Sequence, residues 1–348
     1  MKACVLQSVG DLRYQEVETA ACKKGEVLVH IKACGICGSD IPRVFTKGTY
    51  HFPTIPGHEF AGIVEEAGEA VDQAWIGKWV TVFPLLPCRT CEACQKGKYA
   101  QCENYNYYGS RCDGGFSEYI SVPVWNLVEI PEGVEPEEAA MCEPAAVAYH
   151  AAAQAGNVSG ENVLISGAGT IGMITAMWLR ASGASRVILV DIDERKLQFA
   201  ERLGFESTIY LQTESVLKRI QELTDGEGIS CAFECVGTAG SLENCLEAAE
   251  MSGTVVVVGN PAGDMVLSQK SYWNILRKEL RICGTWNSQY GGKNSDWKKV
   301  MKALQRKQIQ LKELVTHRFP LAEHEKAFEV LRDRTEFAVK VMFINEER

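Results

Sequence analysis

Short hydrophobic segments, separated by frequent Gly and Pro, fill about the first 135 residues of the chain. Residues 27–31 and 116–121 are rich in strand-forming side chains and predict two strands. This pattern predicts a compact, mostly antiparallel β unit with inserted loops.

Beyond Glu137 the pattern changes, because apolar strand-like runs begin to alternate with helical stretches. The predicted strands are 162–166, 186–191, 229–235, 254–259 and 281–284, and the predicted helices include 170–182, 194–203 and 241–251. Such alternation favours βαβ units around a parallel sheet. After about residue 284 the rhythm stops, and a helix, a short extended piece, a helix over 321–331 and a strand over 337–343 are predicted.

Composition narrows the class of protein. The chain has 348 residues and a net charge of −9, a length that suggests two domains and an acidity that argues against a nucleic-acid partner. The longest uncharged stretch, 162–179, is interrupted by three glycines, so no membrane span is expected. Residues 1–10 lack the features of a secretory signal, so we expect a cytoplasmic protein without disulfides. Its 14 cysteines are then core residues or metal ligands.

A glycine motif opens the first predicted βα unit. Its sequence, Gly167-Ala168-Gly169-Thr170-Ile171-Gly172, follows a predicted strand and begins a helix, the context in which the motif binds a dinucleotide pyrophosphate. Asp191 ends the next predicted strand, where an acid accepts hydrogen bonds from a ribose and disfavours a 2′-phosphate, so NAD is the predicted cofactor. The predicted set is completed by Arg195, Val236, Gly259 and Thr285. The alternative is a βα turn without a nucleotide, with Asp191 as a helix cap.

Four closely spaced cysteines, Cys88, Cys91, Cys94 and Cys102, form a compact metal-binding pattern. Four thiolates complete a tetrahedral Zn²⁺ site and leave no position for a substrate, so the predicted role is structural. An iron–sulfur cluster and unliganded surface cysteines are the alternatives.

A second constellation predicts a metal site with an open position. Cys37 and His58 with a carboxylate from Glu59 or Glu143, or from each in turn, match the ligands of a catalytic zinc. Asp40 is a candidate to hold the second ring nitrogen of His58. Ser39 is a candidate proton carrier. Taken singly, these residues also fit ordinary core or turn positions.

In combination, the motifs resemble those of the zinc-dependent medium-chain alcohol and polyol dehydrogenases. They are segments 35–40, 57–59, 88–102, 113–119 and 167–172. The resemblance implies a GroES-like antiparallel β catalytic domain formed by residues 1–143 and 285–348. It also implies an inserted Rossmann domain, a doubly wound parallel sheet, over residues 144–284, two zinc ions per chain, and assembly as a homodimer or homotetramer. Where alcohol dehydrogenases of the horse-liver type carry a relay histidine, this chain has Pro42, so the proton must leave by another route, through Ser39 or Glu143.

The same resemblance indicates a substrate. Segments 39–43, 84–88, 109–111, 275–280 and 284–286 are similar to those of an enzyme that oxidises galactitol 1-phosphate to tagatose 6-phosphate with NAD. Arg43, Lys47 and Arg111 are candidate phosphate ligands, although each also fits a solvated surface charge. A free polyol such as sorbitol or xylitol, butanediol and L-threonine are the alternative substrates. A non-catalytic NAD-binding or zinc-responsive protein is a rival class, disfavoured because a binder has no need of an open metal site.

Overall fold

The computed structural model describes residues 1–261, 263–292, 295–333 and 336–345. Its strands are β1 Lys2–Ser8, β2 Asp11–Glu16, β3 Glu26–Ile36, β4 Glu59–Ala67, β5 Trp79–Val82, β6 Leu85–Leu86, β7 Asn106–Tyr107, β8 Tyr119–Pro123, β9 Leu127–Glu129, β10 Asn162–Ser166, β11 Arg186–Asp191, β12 Ser207–Tyr210, β13 Ile229–Glu234, β14 Ala249–Val257, β15 Arg281–Gly284, β16 Val315–Phe319 and β17 Lys340–Ile344. Its α-helices are α1 Asp40–Pro42, α2 Glu92–Gln95, α3 Pro136–Ala140, α4 Cys142–Gln154, α5 Thr170–Ala181, α6 Glu194–Arg202, α7 Val216–Leu223, α8 Ala239–Ala248, α9 Gln269–Arg277, α10 Asp296–Gln305 and α11 His324–Arg332.

Two compact units divide the chain. The first comprises Met1–Ala146 and Gln289–Arg348, and the second comprises Val147–Ser288. The boundaries expected from the sequence, after residues 143 and 284, fall three and four residues before these. Among the described residues, no helix combines the length and apolar character needed to cross a bilayer.

The first unit is built on a seven-stranded sheet of order β16-β17-β3-β4-β5-β9, with β8 paired to β3. Its pairs are antiparallel except for β16 and β17, so the strand type predicted for this region is confirmed. Phe60, Phe116 and Phe343 are completely or almost completely buried in its core. The strand predicted over 116–121 is wrong at its start: Phe116 hydrogen-bonds to the Pro56 carbonyl in a loop, and the strand begins at Tyr119.

The second unit is a parallel six-stranded sheet of order β12-β11-β10-β13-β14-β15. Strands 162–166, 186–191 and 281–284 form as predicted, and the α/β fold class with its Rossmann sheet is confirmed. The helix predicted over 241–251 is wrong at its end, because Ala249 pairs with Ile229 and opens β14. The short strand β12 was not predicted, since only Ile209 of its four residues is buried.

The predicted C-terminal elements form with shifted bounds. The segment predicted as one helix over 321–331 begins as a 3-10 turn, Leu321–Glu323, and α11 starts at His324. The last strand, predicted over 337–343, is β17 at Lys340–Ile344. Its pairing with β3 places Lys340–Ile344 beside the strand that leads to Cys37.

Candidate active site and cofactor site

Cys37, His58 and Glu59 form one group in the first unit, with ligand atoms all within 4.8 Å of one another. Cys37 follows β3 and Glu59 opens β4, and the register of these strands pairs Gly35 with Glu59. A side chain at residue 35 would place its Cβ 2.3 Å from Glu59 Oε2, so any residue other than glycine there would displace the Glu59 carboxylate. A thiolate, an imidazole and a carboxylate at this separation fit one tetrahedral Zn²⁺ with a position left open.

Asp40 and Arg43 lie against His58. Asp40 is completely buried, accepts the Cys37 N–H at 3.0 Å and pairs with Arg43 at 2.9 Å. Burial acts to raise the pKa of Asp40, but the charges of His58 and Arg43 lower it to about 2. His58 Nδ1 lies 3.6 Å from Asp40 Oδ1 and 3.4 Å from the Arg43 guanidinium, so Nε2 is the ring nitrogen left for a metal.

Glu143 does not belong to this group of ligand atoms. It lies in the first turn of α4, is buried, and accepts a 3.0 Å hydrogen bond from the Tyr107 hydroxyl. Burial and the charge of Glu59 raise the pKa of Glu143. Of the two carboxylates that the sequence left open, Glu59 therefore lies with Cys37 and His58, whereas Glu143 is held by Tyr107. The centroid of the Tyr107 ring is also 5.6 Å from that of the His58 ring. The sequence did not predict that Tyr107 lies beside this group.

Lys340 is a second residue that sequence reasoning missed. Its Nζ donates to Glu59 Oε2 at 2.6 Å and to the Ile36 carbonyl at 3.2 Å, and both charged side chains are buried. Burial acts to lower the pKa of Lys340, but Glu59 and Cys37 raise it above its ordinary value. The only available sequence indication was a lysine at the start of an otherwise apolar strand, since Lys340 and Glu59 are 281 positions apart.

The remaining candidates in this unit have different surroundings. Ser39 is half-buried and precedes α1, and Lys47 is exposed at the end of a π-helix, Arg43–Lys47. The Arg111 guanidinium lies between the rings of Tyr50 and Tyr105, at 4.2 and 4.3 Å. It donates to the Tyr50 hydroxyl at 3.2 Å. Arg43 is thus paired with Asp40, whereas Arg111 is oriented by aromatic rings and has no acidic partner among the described residues.

Cys88, Cys91, Cys94 and Cys102 form a second group with sulfur atoms within 4.8 Å of one another. The Cys88–Cys94 and Cys91–Cys102 sulfur distances are 4.0 and 3.9 Å. Four ligands at ~2.3 Å from a tetrahedral ion lie about 3.8 Å apart, so the group fits one Zn²⁺. Hydrogen bonds from the Thr90 hydroxyl and from backbone N–H groups lower the pKa of Cys88 to about 5, which favours the thiolate.

In the second unit, the glycine motif lies between β10 and α5. Gly167 has a φ of +104°, and a Cβ on Gly172 would be 1.8 Å from the Gly167 carbonyl, so both positions require glycine. A Cβ on Gly169, which caps α5, would meet open space, where a pyrophosphate has access to the helix N-terminus at Thr170 and Ile171.

Asp191 ends β11 beside this motif. Its carboxylate accepts hydrogen bonds from the N–H groups of Ala168 and Asp193, at 2.8 and 2.9 Å. These bonds fix an acid at the end of the second strand, where it suits a ribose hydroxyl. Arg195, in contrast, is paired with Asp193 at 2.9 Å.

The other cofactor candidates lie just after successive strands of the sheet. Val236 follows β13, Gly259 lies shortly after β14, and Thr285 directly follows β15. Val236 is 47% exposed, and the buried Thr285 hydroxyl has no partner within the described chain. The carboxyl ends of parallel strands share one edge of a sheet, so these residues and the glycine motif belong to the same edge.

Both units match known families. Residues 23–132 match the alcohol dehydrogenase GroES-like domain, and residues 170–306 match the zinc-binding dehydrogenases. The chain is 35% identical over 320 residues to galactitol 1-phosphate 5-dehydrogenase of Escherichia coli (strain K12). This alignment covers 91% of this chain and 92% of that protein. It is 34% identical over 331 residues to L-idonate 5-dehydrogenase of Vitis vinifera, covering 91% and 87%.

Solved structures give the same result. The crystal structure of galactitol-1-phosphate dehydrogenase from Escherichia coli matches with a TM-score of 0.92 and 34% identity, over 99% of this chain and 100% of that one. Two others hold a cofactor and cover 99% of both chains with TM-scores of 0.91: a putative zinc-binding dehydrogenase from Sinorhizobium meliloti 1021 bound to NADP, 31% identical, and an alcohol dehydrogenase from Escherichia coli CFT073 complexed with NADH, 27% identical.

The fold, the two groups of metal ligands and the dinucleotide edge, which is the edge of the parallel sheet that carries the glycine motif, together define the class of protein. It is a zinc- and NAD-dependent oxidoreductase that acts on CH–OH groups of small molecules. The chain belongs to the family of zinc-dependent medium-chain alcohol and polyol dehydrogenases. Each chain takes one catalytic and one structural zinc.

Proposed function

We propose that this enzyme oxidises a secondary hydroxyl of a sugar-alcohol phosphate, galactitol 1-phosphate to tagatose 6-phosphate, with NAD as the hydride acceptor. The similarity to galactitol 1-phosphate 5-dehydrogenase over 91% of the chain carries this proposal. Residues 1–143 and 285–348 form the catalytic domain in this proposal, and residues 144–284 form the NAD-binding domain.

In the proposed mechanism, Cys37, His58 and Glu59 hold the catalytic zinc, whose Lewis acidity lowers the pKa of a substrate hydroxyl. Glu143 holds the proton that the hydroxyl releases: burial raises its pKa, and the Tyr107 hydroxyl occupies only Oε1. Ser39, half-buried three residues before Pro42, is a second group that can carry this proton towards solvent. The four cysteines Cys88, Cys91, Cys94 and Cys102 hold the structural zinc.

Cofactor choice is proposed to follow from the dinucleotide edge. Gly167, Gly169 and Gly172 admit the pyrophosphate, and the buried Asp191 carboxylate repels a 2′-phosphate, which favours NAD over NADP. The Arg195 guanidinium is paired with Asp193, and Lys196 is paired with Asp191 itself at 3.5 Å, so neither cation is left for that phosphate.

We assign phosphate recognition to Arg111, because its guanidinium is oriented by two aromatic rings and has no acidic partner within the described chain. Arg111→Met is expected to lower kcat/KM for galactitol 1-phosphate about 10- to 100-fold, the value of a charge-assisted hydrogen bond. Activity on free galactitol stays unchanged. NADH formation measured with both substrates provides the test.

Arg180→Met is the matched control, since Arg180 also stacks on a ring, Phe205, at 4.2 Å. It should leave both kcat/KM values unchanged. Equal kcat/KM for phosphorylated and free galactitol in the wild type would exclude a phosphate site. A panel containing sorbitol, xylitol, butanediol and L-threonine would then identify the substrate among the alternatives.

We also propose that two copies pair through the Rossmann sheet. Strand β15 ends the strand order of the described sheet, and Ile282 on it is 45% exposed. An edge strand with exposed apolar residues is a template for pairing with a second copy. The 38.4 kDa chain is expected to sediment as a dimer or tetramer, and Ile282→Lys as a smaller species. Met251→Lys, at an exposed apolar position on β14, is the control and should sediment as the same assembly as the wild type. A monomeric wild type would contradict the proposal.

A further inference from the structure

Glu234 ends β13, beside β10 at the centre of the Rossmann sheet. The strand order reverses between these two strands, and such a switch point is where open parallel sheets bind their ligands. The Glu234 side chain is nevertheless completely buried, so it is not exposed to solvent or to a ligand bound at this edge of the sheet. A buried acid at this position calls for a role inside the protein.

The contacts of Glu234 connect three elements at this edge. Its Oε1 accepts hydrogen bonds from the N–H groups of Val236 and Gly237, both at 2.8 Å, and from the Ser241 hydroxyl at 2.7 Å. Ser241 lies on α8 and also contacts the Ser166 hydroxyl, at the end of β10, at 2.9 Å. The Glu234 backbone carbonyl accepts the N–H groups of Val258 and Gly259, just after β14.

These bonds fix the loop 235–237 against the glycine motif. A Cβ added to Gly167 would lie 2.8 Å from Val236 Cγ2, so the Val236 side chain packs directly over the first glycine. On the other side, a Cβ at Gly259 would lie 2.2 Å from the Gly237 N–H nitrogen and 2.6 Å from Glu234 Oε2. The loop therefore has little room to move while Glu234 holds it.

Only one of the two carboxylate oxygens does this fastening. Glu234 Oε2 is buried and has no hydrogen-bond partner within the described chain. A glutamine keeps one acceptor oxygen of the same geometry for these donors, whereas an alanine leaves two N–H donors and a hydroxyl without an acceptor.

We propose that Glu234 is a positioning residue of the dinucleotide site: it fastens the loop 235–237 so that Val236 covers Gly167 and shapes the surface that receives the cofactor. Glu234 acts through this loop and does not touch the reacting atoms. The role concerns the cofactor alone and is independent of which polyol is the substrate.

The test compares Glu234→Ala and Glu234→Gln by titrating NADH against the folded, zinc-loaded protein and following cofactor fluorescence. Glu234→Ala is expected to weaken NADH binding about 10- to 100-fold, because three hydrogen bonds, two of them from the loop, lose their acceptor. Glu234→Gln should stay within about threefold of the wild type. Hydrogen exchange at the amides of residues 236 and 237 should accelerate in the alanine variant alone.

Glu243→Ala is the matched control, since Glu243 also accepts a backbone N–H, that of Ser268, away from this edge. Its NADH affinity should equal that of the wild type. If Glu234→Ala does not fold, Ser241→Ala removes one donor and is expected to weaken binding about threefold. If Glu234→Ala folds and binds NADH as tightly as the wild type, the proposal is overturned. If only Ser241→Ala can be tested, wild-type NADH affinity in that variant has the same consequence.

Discussion

Cys37→Ser is expected to lower kcat at least about a thousand-fold while the protein stays folded. Cys37 lies with His58 and Glu59 in a group of ligand atoms within 4.8 Å, and serine replaces a thiolate with a poorly ionised hydroxyl. A bound metal contributes several kcal/mol to stabilising charge in the transition state, and about 4 kcal/mol corresponds to this factor. The zinc content should fall from two ions per chain to one, because the four-cysteine group is untouched.

The measurement combines zinc analysis, NADH formation and thermal unfolding. Cys22→Ser is the control: Cys22 is a half-buried cysteine of the same unit, its thiol contacts the Glu26 carbonyl, and it belongs to neither ligand group. It should keep both zinc ions and full activity. Full turnover by Cys37→Ser would remove the catalytic assignment, and loss of both ions would show that the two metal groups are not independent.

Lys340→Met is expected to lower the free energy of unfolding by about 3–5 kcal/mol, the cost of leaving one charge of a buried pair without its partner. Lys340 is 3% exposed and Glu59 is 1% exposed, so water cannot replace the lost contact. Urea unfolding of the zinc-free protein measures the effect without a contribution from the metal.

The pH dependence of this effect follows from the raised pKa of Lys340. A lysine whose pKa is higher in the folded protein stabilises it fully below its ordinary pKa of 10.5, and that stability is lost only as the pH rises beyond this value. The deficit of Lys340→Met should therefore still be present at pH 9 and be lost only as the pH rises through the raised pKa of Lys340.

Lys78→Met provides the comparison, because Lys78 and Glu129 form an ion pair with side chains 42% and 54% exposed. A surface pair of this kind contributes about 1 kcal/mol or less. A similar small deficit in Lys340→Met would mean that the buried contact with Glu59 does not stabilise the fold.

Contiguous motifs were the part of the site that could be predicted from the sequence. Gly167 and Gly172 were identified because the turn after β10 is built from neighbouring residues, and its steric demands act over a few positions. The same holds for Cys88 and Cys102, whose spacing alone lets their sulfur atoms approach one another. The central strands β10 and β11 were predicted because both of their faces are buried and their apolar runs are continuous.

Contacts between distant segments could not be predicted. Neither Tyr107 nor Lys340 had a sequence pattern that assigned it to the metal group, because their positions follow from loop packing and from the pairing of β17 with β3. The register of β3 and β4 pairs Glu59 with Gly35 and so places it with Cys37 and His58. The sequence alone could not choose between Glu59 and Glu143. The N-terminal strands were placed less accurately, since a strand's bounds depend on its partners.

The sequence by itself determined the family, the fold class, the ligand types and the predicted cofactor, because each depends on residues that are close along the chain or on their overall periodicity. Only the tertiary structure decided which carboxylate lies with Cys37 and His58, which lysine neutralises it, and how Glu234 fastens the dinucleotide edge. These depend on strand register and on burial, which bring together side chains separated by tens to hundreds of residues and remove the water that would otherwise satisfy them.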